Sequence, residues 1–257
     1  MRRKVIAFDL DGTLAPSKSP LPDRMAAALS ALLEKYQVCV ISGGKFEQFE
    51  KQLLANLHVE PRLLENLHIM PTCGTRYMRF EGGKWKEVYA ENFTEAEKKK
   101  IVNALSKVAR DLGYEEKKVY GEVIEDRGSQ VTWSALGQDI VDHLGEEGVR
   151  LKEAWDPDDK KKNKMRDAVA VLLPEFEVRV GGVTSIDVTK PGIDKAYGIQ
   201  KLIDMLGITK KEVLFIGDRV REGGNDYPVK LMGVDCMEIN YWHETALVVE
   251  AIVNVTP

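Results

Sequence analysis

Two carboxylates follow the first apolar segment of the chain, with one residue between them. Residues 5–8 are all apolar and predict a short strand buried on both faces, and Asp9-Leu10-Asp11-Gly12-Thr13 comes directly after it. In an open α/β sheet, the ligand crevice lies at the carboxyl ends of the parallel strands. Asp9 and Asp11 would repel each other there unless a proton or a cation lies between them, and Mg²⁺ readily bridges carboxylates to phosphate. A plain Asp-Gly turn after a strand is the alternative interpretation.

Three more polar residues lie next to predicted strands or helices later in the chain. Ser42 follows the apolar segment 38–41, Asp218 comes shortly after the apolar segment 213–216, and Lys195 begins the helix that precedes the latter. Together at one sheet edge, these residues would supply a nucleophile, an acid/base, a hydroxyl donor, a cation and a further metal ligand. Phosphoryl transfer requires this set, because its catalysis is mainly positioning and charge neutralisation.

Alternating strand and helix patterns predict the sheet that would position these residues. The first part of the chain alternates between strands predicted over 5–8, 38–41 and 67–70 and helices predicted over 23–35 and 46–57. The last part continues with a helix over 195–206, strands over 213–216 and 236–239, and a helix over 243–253. This alternation is typical of a parallel, doubly wound sheet.

The middle of the chain has a different pattern. We predict strands over 76–80, 85–89, 119–124, 130–133 and 176–180, with helices over 94–112 and 158–173. Strands that pair across turns, with two helices among them, indicate an antiparallel sheet covered on one face. We therefore predict an α/β core over 1–82 and 188–257 and an inserted α+β domain over 83–187.

Composition excludes several classes of partner. The 257 residues carry a net charge of -4, so no basic field invites nucleic acid, and the basic run 160–164 is interpreted as the solvated start of a helix. No apolar run reaches membrane-spanning length, and the basic start 1–4 precedes too few apolar residues for a signal peptide. Three distant cysteines fit neither a disulfide framework nor a zinc site. We expect a cytoplasmic protein.

The ordered motifs resemble those of the haloacid dehalogenase superfamily over the whole chain. They are Asp9-Leu10-Asp11-Gly12-Thr13, Ser42, Lys195, and Gly217-Asp218 with Gly224-Asn225-Asp226. This resemblance implies a Rossmann-like core, and the insertion between the second and third motifs is similar to the larger α/β cap of subfamily IIB.

Several segments resemble, more specifically, the eukaryotic-type phosphomannomutases. They are Ile124-Glu125-Asp126-Arg127, Ser185-Ile186-Asp187-Val188, Gly192 to Tyr197, and the last motif. The resemblance implies a sugar-phosphate substrate. In that family several cap arginines grip the distal phosphate of a sugar bisphosphate; Arg127 matches one, whereas Tyr120 and Gln138 stand where others are expected. The exchange removes charge-assisted bidentate donors, which counts against mutase activity.

The resemblance also implies a set of site residues. The implied catalytic residues are Asp9, Asp11, Ser42 and Lys195; the implied substrate contacts are Gly12, Thr13, Gly43, Arg127, Ser185 and Asp187; and the implied metal ligands are Asp9, Asp11, Asp218, Asn225 and Asp226. Asp9 would form an aspartyl-phosphate, and Asp11 would protonate the leaving oxygen and then activate water, while its backbone carbonyl could reach the metal. Asn225 and Asp226 would ligate through water or orient Asp218.

We therefore predict a Mg²⁺-dependent phosphatase that acts on a small sugar or polyol phosphate. A phosphomannomutase, which returns the phosphoryl group to the other oxygen of the sugar, is the main alternative. A non-catalytic sugar-phosphate-binding protein is the remote one. The predicted partner is a small phosphorylated metabolite, with neither nucleic acid nor membrane, and the resemblance makes a cap-to-cap homodimer one candidate oligomeric state.

Overall fold

A computed structural model describes residues 3–256, so Met1 and Arg2 of the basic start, and Pro257, lie outside the described residues. The strands in this range are β1 (Val5–Phe8), β2 (Gln37–Ile41), β3 (Leu67–Met70), β4 (Arg76–Glu81), β5 (Lys84–Ala90), β6 (Ile124–Asp126), β7 (Gln130–Ser134), β8 (Glu177–Val180), β9 (Ser185–Thr189), β10 (Val213–Gly217) and β11 (Asp235–Glu238). The helices are α1 (Asp23–Leu33), α2 (Phe46–Gln52), α3 (Pro61–Leu64), α4 (Glu95–Asp111), α5 (Ile140–Leu144), α6 (Glu146–Trp155), α7 (Lys160–Leu172), α8 (Lys195–Leu206), α9 (Tyr227–Leu231) and α10 (Trp242–Val255).

The first compact unit, the core, contains the chain up to Ala90 and from Ile193 onwards. Its described residues form a seven-stranded sheet in the order β11-β10-β1-β2-β3-β4-β5, in which the first five strands are parallel and the last two antiparallel. The residues of β1 alternate between two apolar clusters, with Ile6 and Phe8 in one and Val5 and Ala7 in the other. Burial on both faces explains why this strand is apolar throughout, and the doubly wound α/β core is confirmed.

The second compact unit, the cap, contains Glu91–Gly192. Its sheet has the order β6-β7-β9-β8 and is antiparallel. One face is apolar: Trp133 and Ile186 belong to the same buried cluster as Leu105 of α4 and Met165 of α7. Helix α4 begins with a capping box, in which Thr94 and Glu97 satisfy each other's backbone N–H groups. The cap is therefore an α+β unit.

The structure divides the two units at different residues from those predicted. Strand β5 pairs along its length with β4, which pairs with β3, so the hairpin to Ala90 belongs to the core and not to an insertion beginning at residue 83. Strand β9 pairs with both β7 and β8, so the cap extends beyond residue 187. The pairing between strands decides both boundaries, and local sequence patterns do not show which sheet a strand joins.

Some predicted elements also differ from those observed. The segment 119–123 is not a strand, because β6 begins at Ile124, and the helix predicted over 46–57 ends at Gln52 and gives way to a short 3₁₀ turn. Strand β9 and helices α5 and α6 were not predicted. The polar–apolar alternation of residues 185–189 is the signal that would have indicated β9. Within residues 3–256, no helix is both long and apolar enough to cross a membrane.

Candidate active site

Three neighbouring strands of the core sheet end beside one another. Phe8 is in register with Val40 of β2 and with Ile216 of β10. Because Asp9, Ser42 and Asp218 each follow the end of one of these strands, the sheet brings their backbones to the same edge. The Asp9 N–H donates to the Ile216 carbonyl at 3.1 Å, so the ladder extends to the first acidic residue.

A group of three carboxylates lies at this edge. Asp9, Asp218 and Asp226 each offer a carboxylate oxygen, and these oxygens all lie within 4.8 Å of one another. Gly12, at φ 84°, makes room for one of them, since a Cβ there would come 2.6 Å from Asp218 Oδ2. A cluster of hard oxygen donors with this spacing fits a Mg²⁺ ion. The cluster includes Asp226, for which the sequence predicted either a metal contact through water or a role in orienting Asp218.

The Lys195 ammonium lies between two of these carboxylates. Its Nζ is 2.6 Å from Asp9 Oδ1 and 2.5 Å from Asp226 Oδ1, and its side chain is 1% exposed. The Asp194 carboxylate caps helix α8 by accepting from the Tyr197 N–H at 2.9 Å. This cap fixes the first turn of the helix and so directs the lysine into the site.

Burial and like charge act on the ionisation of this group. Burial raises the pKa of Asp9 to about 8, with the Lys195 ammonium opposing and the Asp226 carboxylate adding to the rise. Burial also raises the pKa of Asp218, and Asp226 again adds to it. Burial lowers the pKa of Lys195, but the carboxylates of Asp9 and Asp226 outweigh it and hold that pKa above its usual range. One ammonium does not balance three carboxylates, so a further cation would favour their ionised forms.

The loop after β10 holds Asp226 in place. Its Oδ2 accepts from the Arg219 N–H at 3.1 Å, and a Cβ on Gly217 would come 2.3 Å from the same oxygen. Asp226 is fully buried, whereas Asn225 is exposed in the preceding turn. The Asp226 carboxylate is buried and has a hydrogen bond on each oxygen. Such a carboxylate fits a residue that holds other groups of the site in position.

The predicted phosphate-binding residues lie in two turns of the core. Ser42 is buried; its hydroxyl accepts from the Gly44 N–H at 3.2 Å, and its carbonyl accepts from the Cys73 N–H at 2.9 Å. Its hydroxyl proton is thus available to a phosphoryl oxygen. Thr13 is fully buried, and its hydroxyl has no hydrogen-bond partner among residues 3–256.

The Asp11 carboxylate lies outside the clustered group, but near enough for its charge to add to the rise in the pKa of Asp9. The Asp11 side chain accepts hydrogen bonds from the Lys18 N–H and from the side-chain amides of Gln48 and Gln52. Sequence reasoning missed both glutamines. Their spacing of i and i+4 on the helix after Ser42 was the available signal, because it places them on one face.

In the cap, polar residues occupy the face of the sheet opposite its apolar cluster. The strand register aligns Glu125, Thr132, Asp187 and Arg179 in one row across the sheet. The Thr132 hydroxyl donates to Asp187 Oδ1 at 2.7 Å. Burial raises the pKa of Asp187, while the Arg127 guanidinium opposes the rise. Two predicted cap residues, Arg127 and Asp187, therefore lie close enough to interact.

Charges on this face are largely paired within the cap. Arg127 Nε donates to Glu125 Oε2 at 2.7 Å, and its Nη2 lies 3.4 Å from Gln138 Oε1. Both members of the Arg127–Glu125 pair are nearly buried, at 13% and 11% side-chain exposure. Half-buried Ser185 precedes Asp187 by two residues on β9 and so shares its face. Arg179, which the sequence did not single out, pairs with Glu177 at 2.6 Å.

The haloacid dehalogenase-like hydrolase family matches residues 6–228 of this chain. The chain belongs to this family. It is 26% identical over 236 residues to a phosphomannomutase of Encephalitozoon cuniculi, covering 88% of this chain and 84% of that protein. It is 25% identical over 235 residues to phosphomannomutase 2 of Dictyostelium discoideum, covering 89% and 87%. Among solved structures, the IMP-bound, N-terminally truncated IMP-nucleotidase of Plasmodium falciparum aligns with a TM-score of 0.68 at 17% identity, covering 99% of this chain and 69% of that one.

Membership of the haloacid dehalogenase-like hydrolases confirms the resemblance on which the sequence analysis rested, together with its phosphomannomutase-like character. The family match spans both the core motifs and the cap. The chain is therefore an enzyme of the phosphatase or phosphomannomutase type.

Proposed function

We propose that this enzyme is a Mg²⁺-dependent phosphatase acting on a small sugar or polyol phosphate through an aspartyl-phosphate. The observation that carries the proposal is the arrangement of Asp9, in contact with Lys195 at 2.6 Å and grouped with Asp218 and Asp226. A nucleophilic carboxylate, a fixed cation and two further metal ligands form the set needed for phosphoryl transfer.

Each predicted core residue has a role in this proposal. Asp9 attacks phosphorus, and Asp11 gives a proton to the leaving oxygen and later takes one from the attacking water. Lys195 offsets the charge of Asp9 and of the phosphoryl group. Mg²⁺, held by Asp9, Asp218 and Asp226 with the Asp11 carbonyl and Asn225, would supply further charge neutralisation on the phosphoryl oxygens. Gly12, Thr13, Ser42 and Gly43 contact the phosphoryl group.

We assign substrate selection to the polar face of the cap, with Arg127, Ser185 and Asp187 as its contacts. The guanidinium of Arg127 is already paired with Glu125 at 2.7 Å. A site for the distal phosphate of a bisphosphate needs uncompensated cations, whereas sugar hydroxyls bind well to paired charged groups that both donate and accept. This difference favours a phosphatase.

A phosphomannomutase is the second candidate, and it is favoured by the relatives named phosphomannomutase, which match most of the chain at about one quarter identity. Incubation with mannose 6-phosphate and Mg²⁺, with and without a hexose bisphosphate, separates the two. A phosphatase releases inorganic phosphate under both conditions. Equilibration of mannose 6- and 1-phosphates without free phosphate would reject the phosphatase.

The third candidate, a non-catalytic sugar-phosphate-binding protein, is tested by the same incubation, since it would yield neither product. A cytoplasmic location agrees with Cys39, Cys73 and Cys236, none of which forms a disulfide, because reduced thiols are typical of that compartment. A cap-to-cap homodimer stays a prediction, which sedimentation of the purified protein would test.

A further inference from the structure

Three N–H groups hold the Asp11 carboxylate. Its Oδ1 accepts from the Lys18 N–H at 2.6 Å and from Gln52 Nε2 at 3.3 Å. Its Oδ2 accepts from Gln48 Nε2 at 2.8 Å. The donors come from two separate segments of the chain, namely the loop after Thr13 and helix α2. A carboxylate bonded at both oxygens by donors on separate segments cannot rotate without breaking at least one bond.

The two glutamines are themselves fixed. Gln48 Nε2 also donates to Gln52 Oε1 at 2.7 Å, and Gln52 Nε2 donates to the Ser19 carbonyl at 3.1 Å. Each amide nitrogen therefore has an acceptor for both of its hydrogens. Gly44 leaves space for this pair, because a Cβ there would come 2.1 Å from Gln48 Oε1. Gln52 is 3% exposed, so water competes little for these bonds.

The distribution of donors distinguishes the two oxygens of Asp11. A carboxylate oxygen accepts about two hydrogen bonds. Among residues 3–256, Oδ1 receives two donors and Oδ2 receives one. A lone pair of Oδ2 is thus the position left for a transferred proton.

We propose that Gln48 and Gln52 are positioning residues, which hold the Asp11 carboxyl in the orientation that lets Oδ2 exchange a proton with the reacting oxygens. This inference rests on the proposed function. In the first step Asp9 Oδ bonds to phosphorus, the bond from phosphorus to the sugar oxygen breaks, and that oxygen takes the Oδ2 proton of Asp11. In the second step water bonds to phosphorus, its proton goes to Asp11, and the bond from phosphorus to Asp9 breaks. Phosphate leaves, and both carboxyl groups return to their initial states.

A purely structural role for the pair is the competing explanation. The Gln52 side-chain amide also donates to the Ser19 carbonyl at 3.1 Å, so this side chain anchors the loop after Thr13 as well. Loss of an anchor would weaken every reaction at the site. Loss of proton-transfer geometry would weaken only reactions whose leaving group needs a proton. The alkoxide leaving from a sugar phosphate needs one, whereas p-nitrophenolate does not.

The test compares kcat/KM for mannose 6-phosphate and p-nitrophenyl phosphate in Gln48→Met and Gln52→Met, which remove the amides at similar side-chain length. For mannose 6-phosphate we expect kcat/KM to fall about 10- to 100-fold, mostly through kcat. For p-nitrophenyl phosphate it should change by less than about 3-fold, because kcat/KM reports the first phosphoryl transfer. Asp11→Asn should show the same selectivity with a larger fall.

Glu50→Ala is the matched control, since Glu50 is exposed on the same helix, and we expect both substrates to react as with the wild type. An equal fall for both substrates, or no fall in either variant, would overturn the positioning role. If Gln52→Met does not fold, as a thermal melt would show, Gln48→Met carries the test, because Gln48 is only half-buried. Failure of the wild type to hydrolyse either substrate with Mg²⁺ would instead reject the proposed function, and the role of Asp11 with it.

Discussion

The core edge and the polar face of the cap both bury charged side chains, but they balance charge differently. At the core edge, the single ammonium of Lys195 lies against Asp9 and Asp226, with Asp218 close by. On the cap face, each of two guanidinium groups has a glutamate of its own two residues earlier in the chain.

This difference indicates which ligand each region suits. A group with more carboxylate than ammonium charge suits a metal ion, which would in turn attract a phosphoryl group. A face of paired charges and hydroxyls offers donors and acceptors with little net field, which suits the hydroxyl groups of a sugar. Chemistry is thus expected to depend on the core edge and substrate choice on the cap.

The largest expected effect is on the proposed nucleophile. Asp9→Asn removes the attacking oxygen and should lower kcat for every phosphate ester by about 10³-fold or more, because no covalent intermediate can form. Asp187→Asn neutralises a half-buried carboxyl of the cap and should cost only about 10-fold, in KM for sugar phosphates. Steady-state phosphate release measures both. Similar losses in the two variants would contradict the assignment of chemistry to the core edge and of substrate choice to the cap.

Removal of the metal ion should abolish activity, and the ion should bind at the core edge and not on the cap face. We expect EDTA to stop phosphate release and added Mg²⁺ to restore it, since charge neutralisation at the phosphoryl group is lost and regained. Mg²⁺ should also raise the unfolding temperature of the wild type by mass action, and this rise should be absent in Asp218→Asn. A metal-dependent rise that persists in this variant would place the ion elsewhere.

The cap arginine should affect substrate choice without affecting chemistry. Arg127→Met removes a charge-assisted donor, each worth about 1.5–3 kcal/mol, and should lower kcat/KM for mannose 6-phosphate by about 10- to 100-fold. Hydrolysis of p-nitrophenyl phosphate should be nearly unchanged. Arg110→Met, at an exposed position on α4, is the control and should leave both rates unaltered. Equal losses for both substrates would assign Arg127 to the chemistry rather than to recognition.

The smallest expected effect concerns acid stability of the core sheet. His68 is fully buried, with its ring nitrogens 2.7 Å from the Tyr77 hydroxyl and the Gln37 side-chain carbonyl, and burial lowers its pKa to about 3, with Arg79 adding to the fall. Below about pH 6.5 this histidine is protonated in the unfolded chain but stays neutral in the folded chain. The free energy of unfolding should therefore fall as the pH drops from there towards 3.

At about pH 5 the His68 contribution should be on the order of 2 kcal/mol relative to neutral pH. Urea unfolding at the two pH values measures it, and His68→Gln should lose this part of the pH dependence. His143→Gln, at an exposed histidine of the cap, should keep it. The same pH dependence in the wild type and His68→Gln would show that the buried histidine does not titrate as described.

Much of the site was predictable because its chemistry restricts the residue types. Asp9, Ser42 and Asp218 follow apolar strands, and parallel strands bring their carboxyl ends to one edge, so their meeting follows from the pattern alone. Helix α8 was predicted with its observed bounds, and Gly207 marks its end. Local signals of this kind lie within a few residues of the element that they define.

The assignment of β5 to the core and the contacts of Gln48 and Gln52 with Asp11 required the tertiary structure. Each depends on partners outside the element itself: Gln48, for example, reaches a carboxylate 37 residues earlier. A side-chain amide or a strand edge can form hydrogen bonds with many different partners. The sequence near it therefore gives little indication of which partner it has. The sequence by itself determined that the protein carries a group of acids at the carboxyl edge of an α/β sheet. The tertiary structure decided how those acids are oriented and where the cap begins, because hydrogen bonds between distant segments leave no local pattern.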